Sequence, residues 1–71
     1  MNDGTRNYID TIMKYINNSK ERVERIIESE EEFQSNYHLS DQAQDESDDA
    51  LLHLNNVADL LQEAIAELEK I

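Results

Sequence analysis

Cysteine, proline and tryptophan are absent from this 71-residue sequence, and Gly4 is its only glycine. The lack of cysteine excludes a disulfide framework and is compatible with a reducing cytosol. The lack of glycine-rich loops excludes a phosphate cradle and a strained turn that would expose a nucleophilic serine. The chain therefore does not belong to the small disulfide-rich folds and carries no glycine-dependent catalytic motif.

Long apolar runs are also missing. None approaches the roughly 18–20 residues of a membrane span, and MNDGTRNYID at the start lacks the basic and then apolar pattern of a signal peptide. We therefore expect a cytoplasmic protein with a single domain over residues 1–71. A core of this size supplies only about 3–5 kcal/mol, so self-association is an expected source of further stability.

Positive charge is scarce and sits mainly in the first third of the chain. The sequence has 17 Asp and Glu against 6 Lys and Arg, for a net charge of −11. Residues 1–25 hold four acids and five bases, whereas residues 26–69 hold thirteen acids and no Lys or Arg. Because nucleic acids and anionic membranes are bound through basic side chains, neither is an expected direct partner.

Helical periodicity is the strongest positive signal, and it is clearest in residues 51–71. Residues seven apart lie on nearly the same side of a helix, and we call such a set a column. Ala, Leu, Glu and Gln dominate here and favour a helix, and Leu60 lies at the side of the apolar stripe. Three adjacent columns form this stripe, which is wider than one partner helix can cover: Leu54, Leu61 and Leu68; Val57, Ala64 and Ile71; Leu51, Ala58 and Ile65.

The first half of the chain has the same period. One column contains Ile9, Ile16 and Val23, and Met13 and Ile27 flank the stripe. A helix from about residue 5 to about residue 36 is predicted, capped by Thr5 or Asp3. The column predicted to complete its packing surface contains Ile12, Ser19, Ile26 and Phe33.

Periodicity stops at Ser35–Ser40, which predicts a turn at about residues 37–40 and a second helix over about 41–71. Ser40 before Asp41 fits a helix N-cap with an acid in the first turn, and Ser47 is an alternative cap. A turn near His38 would place residues opposite each other when their numbers sum to 77. The predicted pairs match in size and polarity: Ile9–Leu68, Ile12–Ile65, Ile16–Leu61, Ser19–Ala58, Val23–Leu54, Ile26–Leu51 and Glu30–Ser47.

The predicted fold is therefore all-α, an antiparallel two-helix hairpin that dimerises into a four-helix bundle. Dimerisation is expected because a hairpin leaves part of the wide stripe uncovered, together with Tyr8, Tyr15, Met13, Ile27 and Leu60. The residues predicted to mediate self-association are Leu51, Leu54, Val57, Leu60, Leu61, Ile65, Leu68, Tyr8, Met13 and Tyr15.

No constellation points to catalysis, so we expect a non-enzymatic protein without cofactor or metal. Asp49 and His53 are four residues apart and Glu30 could approach them, but the Glu-x-x-His motif of di-iron bundles is absent. The acids from Asp41 to Asp49 lack the glycine and final glutamate of a calcium loop. Paired acids such as Glu31 and Glu32 fall on a solvated face, where nothing would favour a role as general acid.

The turn end of the hairpin should be strongly acidic. Solubility does not require such a concentration of charge, so a basic protein surface is a possible partner. A protein–protein interaction module that self-associates is the expected function, and the alternative is a nucleic-acid mimic that blocks a basic groove. The candidate partner-facing acids are Glu28, Glu31, Glu32, Asp41, Asp45, Glu46, Asp48 and Asp49; with Glu30 they form what we call the acidic tip.

Overall fold

Two long helices and one short connection make up the chain. The computed structural model describes all residues from Met1 to Ile71. Helix α1 comprises Asp3–Asn36 and helix α2 comprises Asp41–Glu69, and there is no strand. The helices pack against each other in a hairpin measuring 56 × 15 × 12 Å. The predicted all-α helical hairpin is confirmed. Neither helix is long and apolar enough to cross a membrane.

Side-chain oxygens cap the N-termini of both helices. Oδ1 of Asn2 accepts a hydrogen bond from the Thr5 N–H at 2.8 Å, and Oγ of Ser40 accepts one from the Ala43 N–H at 3.2 Å. Ser40 is the predicted cap of α2. The prediction of Thr5 or Asp3 for α1 is wrong, because α1 begins earlier and the short side chain of Asn2 reaches a free backbone N–H of its first turn.

The connection between the helices, Tyr37–Ser40, lies within the predicted break. Tyr37 is extended, and its N–H donates to the Phe33 carbonyl at 3.1 Å, which closes the last turn of α1. No residue of the chain has a positive φ. The connection therefore requires no glycine, which explains why the sequence places none there.

One hydrogen bond at each end of the hairpin joins residues whose numbers sum to 77. Ser47 Oγ donates to Glu30 Oε1 near the turn, as the pairing of these residues predicts. At the open end, Arg6 Nη1 donates to the carbonyl oxygen of Ile71 at 3.4 Å. The two helices are thus antiparallel with the register expected from the sequence.

The rotation of α1 about its own axis differs from the sequence-based expectation. The Ile9 column faces α2 as predicted, but the neighbouring column that packs with it begins at Met13 and includes Lys20, Ile27 and Gln34. Ile27 is 8% exposed, whereas Ile26 is 53% exposed. The prediction that the Ile12, Ser19, Ile26 and Phe33 column packs inside the hairpin, with Met13 and Ile27 left outside, is therefore wrong.

Helix α2 also turns one of its three columns outward. Leu54, Leu61 and Leu68 are half-buried against α1, and Ile65 beside them is 7% exposed. By contrast, Val57 is 42% exposed. The hairpin interior thus takes two columns from each helix and leaves the third outside.

A polar residue near the turn explains the rotation of α1. Gln34 belongs to the column of Ile27, and its Nε2 donates to Ser47 Oγ at 2.7 Å across the hairpin. The inward position of Lys20 is tolerated because its aliphatic stem is half-buried while its Nζ reaches Glu24 Oε1 at 3.4 Å. Apolar character alone would favour the Ile26 column, since the Ile27 column also contains Lys20, whereas this hydrogen bond favours the column that contains Gln34.

Candidate interaction surfaces

The apolar columns left outside the hairpin lie on one face of it. Ile26 and Phe33 of α1 line a shallow groove together with Ala43 and Ala50 of α2 and Leu39 of the connection. Because residues seven apart share a side of a helix, the same face continues toward the open end along both helices. We call it the apolar face; its exposed large members are Tyr8, Ile12, Tyr15, Ile26, Phe33, Tyr37, Val57, Leu60 and Ile71.

The opposite face of the hairpin is polar. A second shallow groove between the helices is lined mainly by charged and amide side chains, and Ile27 and Ala58 are its only apolar residues. Its polar lining consists of Lys20, Glu24, Glu28, Glu31, Asn55, Asp59 and Gln62. The hairpin is therefore amphipathic as a unit, with one side suited to a protein contact and the other to water.

The residues predicted to mediate self-association divide between the interior and the apolar face. Four of them, Tyr8, Tyr15, Val57 and Leu60, are exposed on the apolar face. The other six, Met13, Leu51, Leu54, Leu61, Ile65 and Leu68, are half-buried or buried between the two helices. Since their side chains already pack the hairpin, they are less available to a second copy.

Five large residues of the apolar face were not among those predicted positions. For all of them except Tyr37, which follows α1, the width of the stripes was the signal that could have found them, because a helix with three apolar columns must leave one outside a two-helix contact. The five residues are Ile12, Ile26, Phe33, Tyr37 and Ile71.

A polar cluster joins the helices next to the acidic tip. Ser47 is 7% exposed, donates to Glu30 Oε1 at 2.5 Å and accepts from Gln34 Nε2. Gln34 also donates to Asp48 Oδ1 at 2.9 Å, and Gln44 donates to the same oxygen at 3.0 Å. Each buried polar group in the cluster therefore has a partner, as a stable buried network requires.

The acidic tip is open to solvent and has no Lys or Arg within ion-pair distance. Its eight predicted partner-facing acids are all exposed, and only Glu30 is half-buried. The one ion-pair contact in the tip is between Asp49 Oδ1 and His53 Nε2 at 3.6 Å. The remaining ion pairs of the chain are Arg6–Asp10, Lys20–Glu24 and Glu67–Lys70, each within one helix.

The residues weighed as metal ligands are not brought together in one cluster. Asp49 and His53 are adjacent, but Glu30 is engaged by Ser47, and no group of three or more His, Cys, Asp or Glu residues could hold a metal ion. The candidate sites of this protein are therefore surfaces rather than pockets.

The chain matches no protein-family model, no curated protein and no solved structure.

Proposed function

We propose that this chain is a non-enzymatic protein–protein interaction module that self-associates through its apolar face to form a four-helix bundle. The observation that carries the proposal is the collection of both unused apolar columns on the same face. If these columns pointed to different sides, two hairpins could cover only one of them. On one face, they form a surface that a second copy covers along its whole length.

The energetic need for such a partner follows from the sparse interior of the hairpin. Ile9, Ile27 and Ile65 are its only buried apolar residues, and no large side chain is fully buried. The apolar face meanwhile exposes nine large side chains by 42–75%. Full burial of an aliphatic or aromatic side chain contributes about 1.5–3 kcal/mol, so covering this face would add apolar burial that the isolated hairpin lacks.

Two exposed leucines of α2 provide a matched test. Leu60, on the apolar face, is 62% exposed, and Leu52, off that face, is 58% exposed. We expect Leu60→Gln to weaken dimerisation at least about tenfold, because the lost apolar burial occurs twice in a symmetric dimer. Leu52→Gln should leave the dissociation constant within about threefold of the original. Analytical ultracentrifugation over a range of concentrations measures both.

The outcome also decides the proposal itself. A folded protein that remains at its monomer mass of 8.3 kDa up to high micromolar concentration would refute self-association. Equal effects of the two substitutions would instead show that the apolar face is not the contact.

A second candidate function, a nucleic-acid mimic, is favoured by the exposure of the acidic tip. Carboxylates three and four residues apart on a helix lie about 5–6 Å from each other, which is comparable to the spacing of backbone phosphates. A mimic would release its basic partner on addition of salt or competing DNA, whereas an apolar contact would be nearly independent of salt. Competition binding with DNA therefore separates the two functions.

A further inference from the structure

We infer that two copies pack antiparallel, so that the connection of one hairpin lies beside the open end of the other. This inference rests on the proposed self-association and specifies the arrangement of the second copy. Two hairpins that meet through one face each can be related by a twofold axis in two ways. The axis runs either along the helices, with both connections at one end, or across them, with the connections at opposite ends.

The distribution of charge along the hairpin distinguishes the two arrangements. Residues 26–51, which form the half near the connection, contain nine acids and no Lys or Arg. The open half contains residues 1–25, with one net positive charge, and residues 52–71, with four acids and one base, for a total of −2. A parallel dimer would gather a charge of −18 at one end, whereas an antiparallel dimer carries −11 at each end. Since like charges within a Debye length of about 8 Å repel, the antiparallel dimer is favoured.

An unpaired base of the open half adds a complementary contribution. Lys14, Arg22 and Arg25 form no ion pair within the hairpin. In the antiparallel arrangement α1 lies along α1 of the second copy, and a twofold axis between residues 20 and 21 places Lys14 level with the partner's Ile27, next to the partner's Glu28. In the parallel arrangement Lys14 instead lies roughly 20 Å along the helix axis from Glu28, the nearest acid of the tip, at 1.5 Å per residue.

The exposed residues of α1 also have the symmetry that an antiparallel contact requires. Tyr8, Tyr15, Ile26 and Phe33 are separated by 7, 11 and 7 residues. Their midpoint falls between residues 20 and 21, which is level with residues 56 and 57 of α2 in the observed register. Val57 is the central residue of the α2 column on the apolar face, which runs from Ala43 to Ile71 at intervals of seven residues. A twofold axis across the helices at this level thus pairs Tyr8 with the partner's Phe33 and Tyr15 with the partner's Ile26.

Spin-label distances provide the test, since a chain without cysteine accepts a single label at any chosen site. His38→Cys, in the connection, and Asn7→Cys, near the open end, are both at exposed positions. The hairpin is 56 Å long, so the two labels of an antiparallel His38→Cys dimer should be roughly 45–50 Å apart at 1.5 Å per helical residue. Asn7→Cys should also give a long distance, and a mixed dimer of the two variants should give a distance under roughly 25 Å.

The mass of each labelled protein is measured in the same sample by light scattering. A dimer with two His38→Cys labels within roughly 20 Å, as expected for neighbouring helices about 8–10 Å apart, would overturn the antiparallel arrangement while leaving the proposed self-association intact. A monomer would overturn both, whereas an assembly larger than a dimer would overturn the antiparallel dimer and the four-helix bundle but not self-association itself. Long distances in each single variant with a short distance in the mixed dimer would establish the antiparallel arrangement.

Discussion

Ser47 Oγ donates a hydrogen bond to Glu30 Oε1 across the hairpin at 2.5 Å, and this buried serine joins the two helices where apolar packing ends. Beyond this pair, toward the connection, the half-buried positions of the helices are Gln34, Ala43 and Gln44, which are polar or small. This hydrogen bond thus fixes the register of the two helices at the end of the hairpin, where neither helix has a leucine or isoleucine to do so by packing.

The first prediction concerns this serine. Ser47→Ala should lower the free energy of unfolding by about 1–3 kcal/mol, because Glu30 and Gln34 lose a hydrogen-bond partner in a half-buried position. Ser29→Ala is the control, since Ser29 is exposed on α1 and makes no side-chain hydrogen bond. Urea denaturation at one fixed protein concentration gives both values, and a loss no larger than that of the control would show that the cluster does not stabilise the hairpin.

The second prediction compares two adjacent isoleucines. Ile27 is 8% exposed between the helices and Ile26 is 53% exposed on the apolar face. Ile27→Ala should therefore cost about 2–4 kcal/mol through the loss of buried apolar groups, whereas Ile26→Ala should cost under about 1 kcal/mol in the monomer and act chiefly on dimerisation. Denaturation at several protein concentrations separates these effects. The reverse order in dilute protein would mean that α1 has the rotation first expected from the sequence.

The third prediction concerns repulsion in the acidic tip. Glu28, Glu31 and Glu32 are exposed and have no ion-pair partner. Glu28 is three residues from Glu31 and four from Glu32, and all three lie in the part of α1 near its C-terminus. Replacing all three with Gln should stabilise the protein by about 1 kcal/mol, which raises the Tm by about 4–8 °C. The reason is the removal of like-charge pairs and of acids near the negative end of the helix dipole.

A second triple variant changes the net charge equally and serves as the control. Glu21→Gln, Asp59→Asn and Glu63→Gln remove three exposed acids outside the acidic tip. Its Tm should rise less than that of the tip variant, and added salt should reduce the difference by screening. Equal melting temperatures at low salt would show that the tip is an ordinary solvated surface.

The sequence was sufficient to predict the two helices, the break between them, their register and the Ser40 cap, because each depends on a local or strictly periodic signal. It was insufficient for the rotation of α1. The Ile26 column is more apolar than the Ile27 column, so apolar periodicity predicts a stripe but places its centre on the wrong column. The centre depends on Gln34 meeting Ser47, a contact between residues that the chain separates by the whole connection.

The self-association residues were only partly predictable for the same reason. Val57 and Leu60 stay outside because α2 turns other columns toward α1, which periodicity alone does not specify. Tyr37 was missed because it follows the last turn of α1; its ring nevertheless lies 4.9 Å from that of Phe33 and extends the apolar face beyond the helix.

The brevity of the connection Tyr37–Ser40 has a consequence for the order of folding. Contacts near a short connection close the smallest loops and lose the least chain entropy, so they form before contacts at the open end. In this hairpin those earliest contacts bring together Glu30, Glu31 and Glu32 with Asp45, Glu46 and Asp48. The folding step with the lowest entropic cost is thus the one in which the like-charge repulsion is greatest. We therefore expect ionic strength to change the folding rate of the hairpin as well as its free energy of unfolding.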